Sequence, residues 1–173
     1  MADTYTLISS VTVGAGGASS MTFSSIPQTY TDLVIKVSGR NADTGGGNAR
    51  LRFNSDTTSG NYAYRSLYTS NGTSAASGNS TTAAFAGYVV TDDTGWTANT
   101  FGNGEAYIPN YTSSNQKSVS NDGVAENNGT AASLDINAGK WTGTAAITQI
   151  DLISSNGNFQ QYTTAYLYGI KNS

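Results

Sequence analysis

The sequence predicts an all-β domain: an antiparallel two-sheet sandwich of jelly-roll type, with roughly ten or eleven strands. Short segments in which apolar and polar residues alternate predict strands with one buried face. Turn signals containing Gly, Asn or Pro separate these segments, and no helical crossover that a parallel sheet would need is visible. Charged residues make up only 11% of the chain and 11 residues are Tyr, a composition that favours strands over helices. A plainer sandwich is the alternative architecture.

Residues 21–40 are the centre of the predicted fold and are expected to form a strand, a tight turn and a second strand. Met21 and Phe23 alternate with polar neighbours, and Pro27 ends this first strand because proline has no N–H to donate. Within 32–37 the apolar residues recur at every second position, in one of the densest apolar runs of the chain. We therefore expect 32–37 to be a central core strand that pairs with the strand before the turn.

The other strands are expected around this pair, each bounded by turn or loop residues. They are predicted at residues 4–13, 49–54, 62–68, 81–90, 101–108, 117–126, 131–137, 146–153 and 163–171. Loops are predicted at 41–48, 69–82 and 91–99, and the Asn71-Gly72 pair is a turn signal inside the second of them. We expect the three consecutive glycines of 41–48 to pack against nothing and to lie at the end of a sheet.

Length and charge limit the classes of protein to consider. The chain has 173 residues and no long linker, so we expect a single domain over residues 1–173. Its net charge of −3, with eight scattered Lys and Arg, argues against nucleic-acid binding. The chain contains no Cys for a disulfide and no His, the commonest acid–base group. We expect no signal peptide and no membrane-spanning segment, because the first residues lack a basic and apolar leader and no long apolar run occurs.

Five acidic residues are the candidates for a carboxylate site: Asp92, Asp93, Glu105, Asp122 and Glu126. Paired carboxylates can hydrolyse glycosides or bind Ca²⁺, but the spacing of a calcium-binding EF-hand is missing. Adjacent aspartates in a loop rich in Thr and Gly are commonly solvated turn residues. We expect that arrangement here, with a cation site and a catalytic pair as the alternatives. Glu105 lies inside a predicted strand and is expected to point outward or to pair with a nearby Lys or Arg.

Other catalytic signatures are not found. The glycine-rich segments 14–17 and 102–104 lack the Gly-Lys-Ser/Thr sequence and the following helix of a phosphate-binding loop. Ser and Thr are abundant, but the chain has no His to activate them and no Ser-x-x-Lys motif. We therefore expect no enzyme activity, and we assign no catalytic, cofactor-binding or metal-binding residue and no cofactor.

The aromatic residues in or beside loops are the remaining signal. They are Tyr62, Tyr64, Tyr68, Tyr88, Trp96, Tyr111 and Trp141. Because Tyr suits half-buried strands and protein–protein contacts, we expect these residues to pack in the core or between subunits. The alternative is a carbohydrate-binding surface, on which an aromatic ring stacks against a sugar.

Seven segments distributed over almost the whole chain carry a resemblance to a known family. They are YTLISSVTV (5–13), FSSIPQTYTDLVIKVSGR (23–40), LRFNSD (51–56), NYAYRSLY (61–68), EAYIPNY (105–111), AAITQIDL (145–152) and YLYGIKN (166–172). With these segments the chain resembles a family of small virion proteins of tailed bacteriophages, as found in marine and cyanobacterial phages. None of the segments is a catalytic signature.

The resemblance implies a non-enzymatic structural protein of the virion. One implied role is a capsid decoration protein, also called a cement or knob protein, on the outer face of the head shell. The other is a tail-fibre or spike module that recognises a host-surface glycan. For the decoration role we expect the major capsid protein as partner and a homotrimer or another small oligomer, because multivalency adds weak contacts. The segment 2–7 is expected to be an edge strand of its own domain; the alternative is pairing with a neighbouring subunit.

Overall fold

The computed structural model describes residues 4–44, 46–69, 76–128 and 132–171. Twelve strands are present in these ranges. They are β1 (Tyr5–Thr12), β2 (Ser20–Phe23), β3 (Asp32–Gly39), β4 (Gly47–Phe53), β5 (Tyr62–Thr69), β6 (Ala76–Ala83), β7 (Tyr88–Thr91), β8 (Gly102–Ile108), β9 (Lys117–Glu126), β10 (Ala132–Trp141), β11 (Ile150–Ser154) and β12 (Thr164–Ile170). Within the described ranges, no helix is long and apolar enough to cross a membrane.

The strands form two antiparallel sheets, which confirms the predicted all-β sandwich. The large sheet has eight strands in the order β1-β12-β3-β8-β9-β10-β5-β6, and the small sheet has four in the order β2-β11-β4-β7. The count of twelve exceeds the predicted ten or eleven. Apolar side chains from the inner faces of both sheets form one core, whose largest fully buried aliphatic and sulfur-containing members are Met21, Leu33, Ile35, Leu51, Ile108, Ile147 and Ile150.

The predicted central strand is confirmed. Strand β3 pairs with β12 on one side and with β8 on the other, and the side chains of Leu33 and Ile35 are fully buried. The predicted pairing of β2 with β3 is wrong, because β2 pairs with β11 in the small sheet. The intervening residues carry the chain from one sheet to the other. Ile26 is buried on the way, and its N–H donates to the carbonyl oxygen of Thr148.

Two other predictions need correction. The predicted strand 81–90 is two strands: β6 lies in the large sheet and β7 in the small one, and the chain turns between them at Gly87, where φ is +92°. The predicted loop 69–82 overlaps β6, whose polar side chains suit an edge strand held by backbone pairing with β5.

Two predicted strand ends also differ from the structure. Strand β10 continues to Trp141, beyond the predicted end at 137, and β11 begins at Ile150, after the predicted start at 146. The predicted turn at 71–72 lies outside the described residues.

The predicted absence of packing at the glycines of 41–48 is wrong for Gly47. This residue opens β4 and lies against β7. A Cβ atom at Gly47 would be 2.4 Å from the Thr91 Oγ1 atom and 2.8 Å from the Asp92 carbonyl oxygen. The missing side chain therefore allows β4 and β7 to approach closely at this end of the small sheet.

Candidate functional site

The two adjacent aspartates are buried, so the prediction that they are solvated turn residues is wrong. Asp93 is 1% exposed, and its carboxylate accepts hydrogen bonds from the backbone N–H groups of Gly46 and Gly95, each at 2.7 Å. These bonds hold the loop after β7 against the loop before β4. The Asp93 carboxylate therefore accepts hydrogen bonds from backbone N–H groups that have no backbone carbonyl partner in the ranges that the structure describes. Because both N–H groups gain an acceptor, the two hydrogen bonds stabilise the contact between the two loops.

Asp92 lies at the end of the sandwich beside a buried cation. One of its carboxylate oxygens is 4.0 Å from an Arg40 guanidinium nitrogen, and neither oxygen has a hydrogen-bond partner among the described residues. That guanidinium nitrogen donates to the carbonyl oxygens of Thr97 and Thr100 instead. Burial raises the pKa of Asp92. The pair ties the loop 92–100 to the large sheet.

The other three candidate acids lie on the outer face of the large sheet, where Glu105 and Asp122 are cross-strand partners. The Glu105 carboxylate is 2.5 Å from the Lys36 ammonium group, which is the pairing expected from the sequence. The hydrogen bond to Glu105 raises the pKa of Lys36. Asp122 and Glu126 are exposed on the next strand. In the described part of the chain, no cluster of three or more acidic side chains is placed to hold a metal ion.

Three of the seven aromatic residues are core residues, as expected. Tyr62 and Tyr111 are fully buried, and Trp141 is 4% exposed. The rings of Tyr62 and Trp141 stack with their centroids 6.3 Å apart, and Trp141 meets the ring of Phe53 edge-on at 5.7 Å. The Tyr62 hydroxyl group accepts a hydrogen bond from the Phe53 N–H and donates to the Asp56 carbonyl oxygen. These rings therefore close the core at one end of the sandwich.

A polar cleft brings together three of the remaining aromatic residues. It has a volume of about 320 Å³ and lies between the end of the small sheet and the strands β5 and β10 of the large sheet. Its lining residues are Thr44, Gly46, Gly47, Asn48, Tyr68, Tyr88, Val90, Thr91, Asp93, Trp96, Ser133 and Asp135. The seventh aromatic residue, Tyr64, lies beside this cleft and packs on the rings of Phe85 and Tyr88.

The inner wall of the polar cleft is a hydrogen-bonded network between the sheets. The Tyr88 hydroxyl group donates to the Asp135 carboxylate at 2.8 Å, and the Asn137 side-chain amide donates to the same carboxylate at 3.1 Å. The Asn137 amide oxygen accepts from the Asn121 side chain at 2.8 Å. Burial raises the pKa of Asp135 and also that of Tyr88. These polar residues were not predicted from the sequence.

The outer face of the large sheet carries an aliphatic patch formed by Leu67, Leu134 and Ile136. Their exposed fractions are 63%, 52% and 68%. Ile136 lies opposite Leu67 on one side and opposite Asp122 on the other. Their neighbours on β10, Asp135 and the buried Asn137, point inward. The usual alternation is therefore reversed on β10, where apolar side chains face outward and polar side chains face inward.

A second apolar area lies near the opposite edge of the same face. This aromatic patch is formed by Tyr5, Leu7 and Tyr166, of which Tyr5 and Leu7 are about half exposed and Tyr166 is 39% exposed. A continuous row of cross-strand partners joins the two patches. The row is Ser10, Tyr166, Lys36, Glu105, Asp122, Ile136, Leu67 and Ser77. The charged residues Lys36, Glu105 and Asp122 thus lie between the two patches. Tyr166 and Ile136 are four strand spacings apart in this row, or roughly 19 Å.

Comparison with known proteins adds no relative to this picture. No family model, no curated protein and no solved structure matches the chain. Among the described residues, the aliphatic patch, the aromatic patch and the polar cleft are the surface features considered below for a function.

Proposed function

We propose that the chain is a non-enzymatic virion protein of a tailed bacteriophage, which decorates the outer face of the head shell and contacts the major capsid protein. The aliphatic patch is the observation that carries this proposal. Leu67, Leu134 and Ile136 are contiguous, more than half exposed and rimmed by polar residues. Contiguous apolar side chains of this kind typically mark a protein–protein contact. The resemblance of seven chain segments to phage virion proteins supports the choice of partner.

The two patches on one face support assembly into a homotrimer. The aliphatic patch near β5 and the aromatic patch at β1 and β12 are different surfaces at opposite edges of the large sheet. A contact between two different patches is heterologous, and a heterologous contact closes into a ring when its rotation allows. Three copies on a shell would add weak contacts by multivalency. The aliphatic patch of one copy would then meet the aromatic patch of the next, and an Ile136→Ser variant would bind shells more weakly because it loses the multivalency of the trimer.

The arrangement of the buried carboxylates supports a structural role over an enzymatic one. Asp93 accepts two backbone N–H groups, and Asp135 accepts hydrogen bonds from Tyr88 and Asn137. Asp92 faces Arg40 at the end of the sandwich. Asp93 and Asp135 are thus held by hydrogen bonds within the fold, and Asp92 lies beside the charge of Arg40.

Binding to capsids tests the proposal directly. Purified protein would be mixed with shells from which the decoration has been stripped and then sedimented, and its oligomeric state measured by light scattering. We expect trimers that bind, and an Ile136→Ser variant that binds at least tenfold more weakly. A Tyr162→Ser variant is the matched control, because Tyr162 is an equally exposed apolar residue outside both patches. A monomer that fails to bind shells would contradict the proposal, and equal binding of the two variants would exclude the aliphatic patch.

The second candidate is a tail-fibre or spike module that recognises a host-surface glycan. The polar cleft favours it, because Tyr68, Tyr88 and Trp96 come together there beside two carboxylates. The two roles place the chain at different parts of the virion. A host-adsorption assay with purified protein as competitor separates them, because a receptor-binding module should block phage adsorption and a head decoration protein should not.

A further inference from the structure

We propose that the polar cleft is a binding site for a neutral pyranose sugar. The site is a property of the isolated chain and does not depend on whether the chain lies at the head or at the tail. Three features of the cleft lead to this ligand class: its aromatic walls, its fixed hydrogen-bond acceptors and its charge.

The aromatic walls supply surfaces for the apolar face of a sugar. Tyr68 is 37% exposed, and Tyr88 and Trp96 are half-buried, so each ring is held by the protein and still reaches the cleft. A pyranose ring has C–H groups on one face that pack on an aromatic ring through dispersion and weak C–H contacts. Tyr88 is held in place by its hydroxyl hydrogen bond to Asp135 and by its ring contact with Tyr64.

The carboxylates supply acceptors that are already fixed in position. Each oxygen of Asp93 accepts one backbone N–H, from Gly46 or Gly95, and a carboxylate oxygen can accept a second donor. The Asp135 carboxylate likewise receives one donor on each oxygen, from Tyr88 and Asn137. Remaining lone pairs on both groups can accept sugar hydroxyl groups, and little ordering of the protein is then needed on binding.

Charge and size restrict the ligand: the carboxylates disfavour an anion, and the volume admits only a small molecule. The described residues that line the cleft include two carboxylates and neither Lys nor Arg. An anionic ligand such as a phosphate, a sialic acid or a uronic acid would therefore be repelled. The volume of about 320 Å³ lies near the lower end of the roughly 300–1,000 Å³ typical of small-molecule sites, which suits one or two sugar rings.

Ligand-observed NMR tests the proposal with the purified full chain. The probes are D-glucose, D-galactose, D-mannose and N-acetyl-D-glucosamine at millimolar concentration, with N-acetylneuraminic acid and choline as anionic and cationic comparisons. We expect saturation transfer to at least one neutral sugar and to neither comparison compound. Affinity for that sugar should fall roughly tenfold or more in Trp96→Ala and in Tyr68→Ala. It should stay unchanged in Tyr162→Ala, which removes an exposed ring outside the cleft.

Several outcomes would overturn the proposal. They are saturation transfer to none of the four neutral sugars, transfer to N-acetylneuraminic acid or choline alone, and an equal loss of affinity in Tyr162→Ala and Trp96→Ala. Circular dichroism of each variant identifies any that is misfolded. The Tyr68 variant keeps the test decisive if the Trp96 variant does not fold, because Tyr68 lies on a strand and Trp96 on a loop. Failure of this test leaves the capsid-binding proposal standing, since that proposal rests on the opposite face of the large sheet.

Discussion

Ile136 and Leu67 lie directly opposite each other on β10 and β5, and both side chains point to solvent on the outer face of the large sheet. Asp135 and Asn137, on either side of Ile136, are instead buried between the sheets. Apolar side chains that are exposed to solvent contribute no hydrophobic stabilisation within one subunit. The reversal is therefore the strongest structural sign that this face contacts another protein.

The first prediction compares two isoleucines that differ in burial. Ile136 is 68% exposed and Ile35 is fully buried. Ile136→Ala should change the free energy of unfolding by less than about 0.5 kcal/mol, because an exposed side chain leaves no cavity. Ile35→Ala should lower it by about 2–5 kcal/mol. Urea denaturation of the isolated subunit measures both values, and a large loss in Ile136→Ala would mean that this residue stabilises its own domain.

The second prediction concerns Asp135, whose pKa burial raises in the folded state. The folded protein therefore binds a proton at this group more readily than the unfolded chain does, so stability should fall as the pH rises through the pKa of the unfolded carboxyl and then that of the folded one. Asp135→Asn keeps the shape of the side chain and cannot ionise. The free energy of unfolding, measured from about pH 3 to about pH 8, should decline less with pH in this variant. An unchanged pH profile would contradict the role assigned to Asp135.

Asp92 provides a comparison for the Asp135 variant, because burial also raises the pKa of Asp92. Ionisation of Asp92 should therefore also lower the free energy of unfolding. Asp92→Asn should remove a separate part of the decline in stability with rising pH. Since Asp92 faces Arg40 at the end of the sandwich, its contribution should be independent of the Tyr88–Asn137 network. Additive effects in the double variant are expected.

The third prediction concerns Asp56, which titrates in the opposite sense. Burial alone would raise the pKa of Asp56, but hydrogen bonds from Trp141, Asn61 and Thr58 outweigh it and hold the pKa at about 2. Stability from this group is present above the unfolded pKa of 3.8 and should be lost as the pH falls from there towards 2. Asp56→Asn should be less stable at neutral pH and lose less stability on acidification. An acid profile of Asp56→Asn identical to that of the wild type would contradict this assignment.

The fourth prediction compares two glycines. A Cβ atom at Gly47 would come within 2.4 Å of Thr91 Oγ1, whereas one at Gly16 would meet nothing within 4 Å. Gly47→Ala should therefore lower the free energy of unfolding by about 1–3 kcal/mol, as overpacking between strands does. Gly16→Ala should have little effect or be slightly stabilising. Equal thermal unfolding midpoints for the two variants would contradict this prediction, because they would show that β4 and β7 can move apart without loss of stability.

The alternation of apolar residues was enough to predict the core strands. Leu33 and Ile35 recur at the period of a strand, and the structure buries both in the middle of the large sheet. Their partners could not be predicted in the same way, because the period of a strand says nothing about which sheet it joins. The link between β2 and β3 therefore looks like a hairpin turn in the sequence and is a crossing between sheets in the structure.

The burial of polar residues in the interior could not be predicted from the sequence. Asp93 and Asp135 look like surface residues, because only tertiary structure supplies the donors that make their burial tolerable. Lys117 is similar: it is 2% exposed, and its ammonium group donates to the carbonyl oxygens of Ser113 and Asn115. Burial lowers the pKa of Lys117. Apolar and polar residues alternate over 134–137, but this alternation does not reveal which set points inward.

Cryo-electron microscopy of the intact phage particle tests the central claim most directly. We expect density for this chain as trimers at regular positions over the icosahedral head shell, with Ile136 and Leu67 in contact with a neighbouring subunit or with the major capsid protein. Density confined to the tail, or particles that lack the chain, would contradict the proposed decoration role.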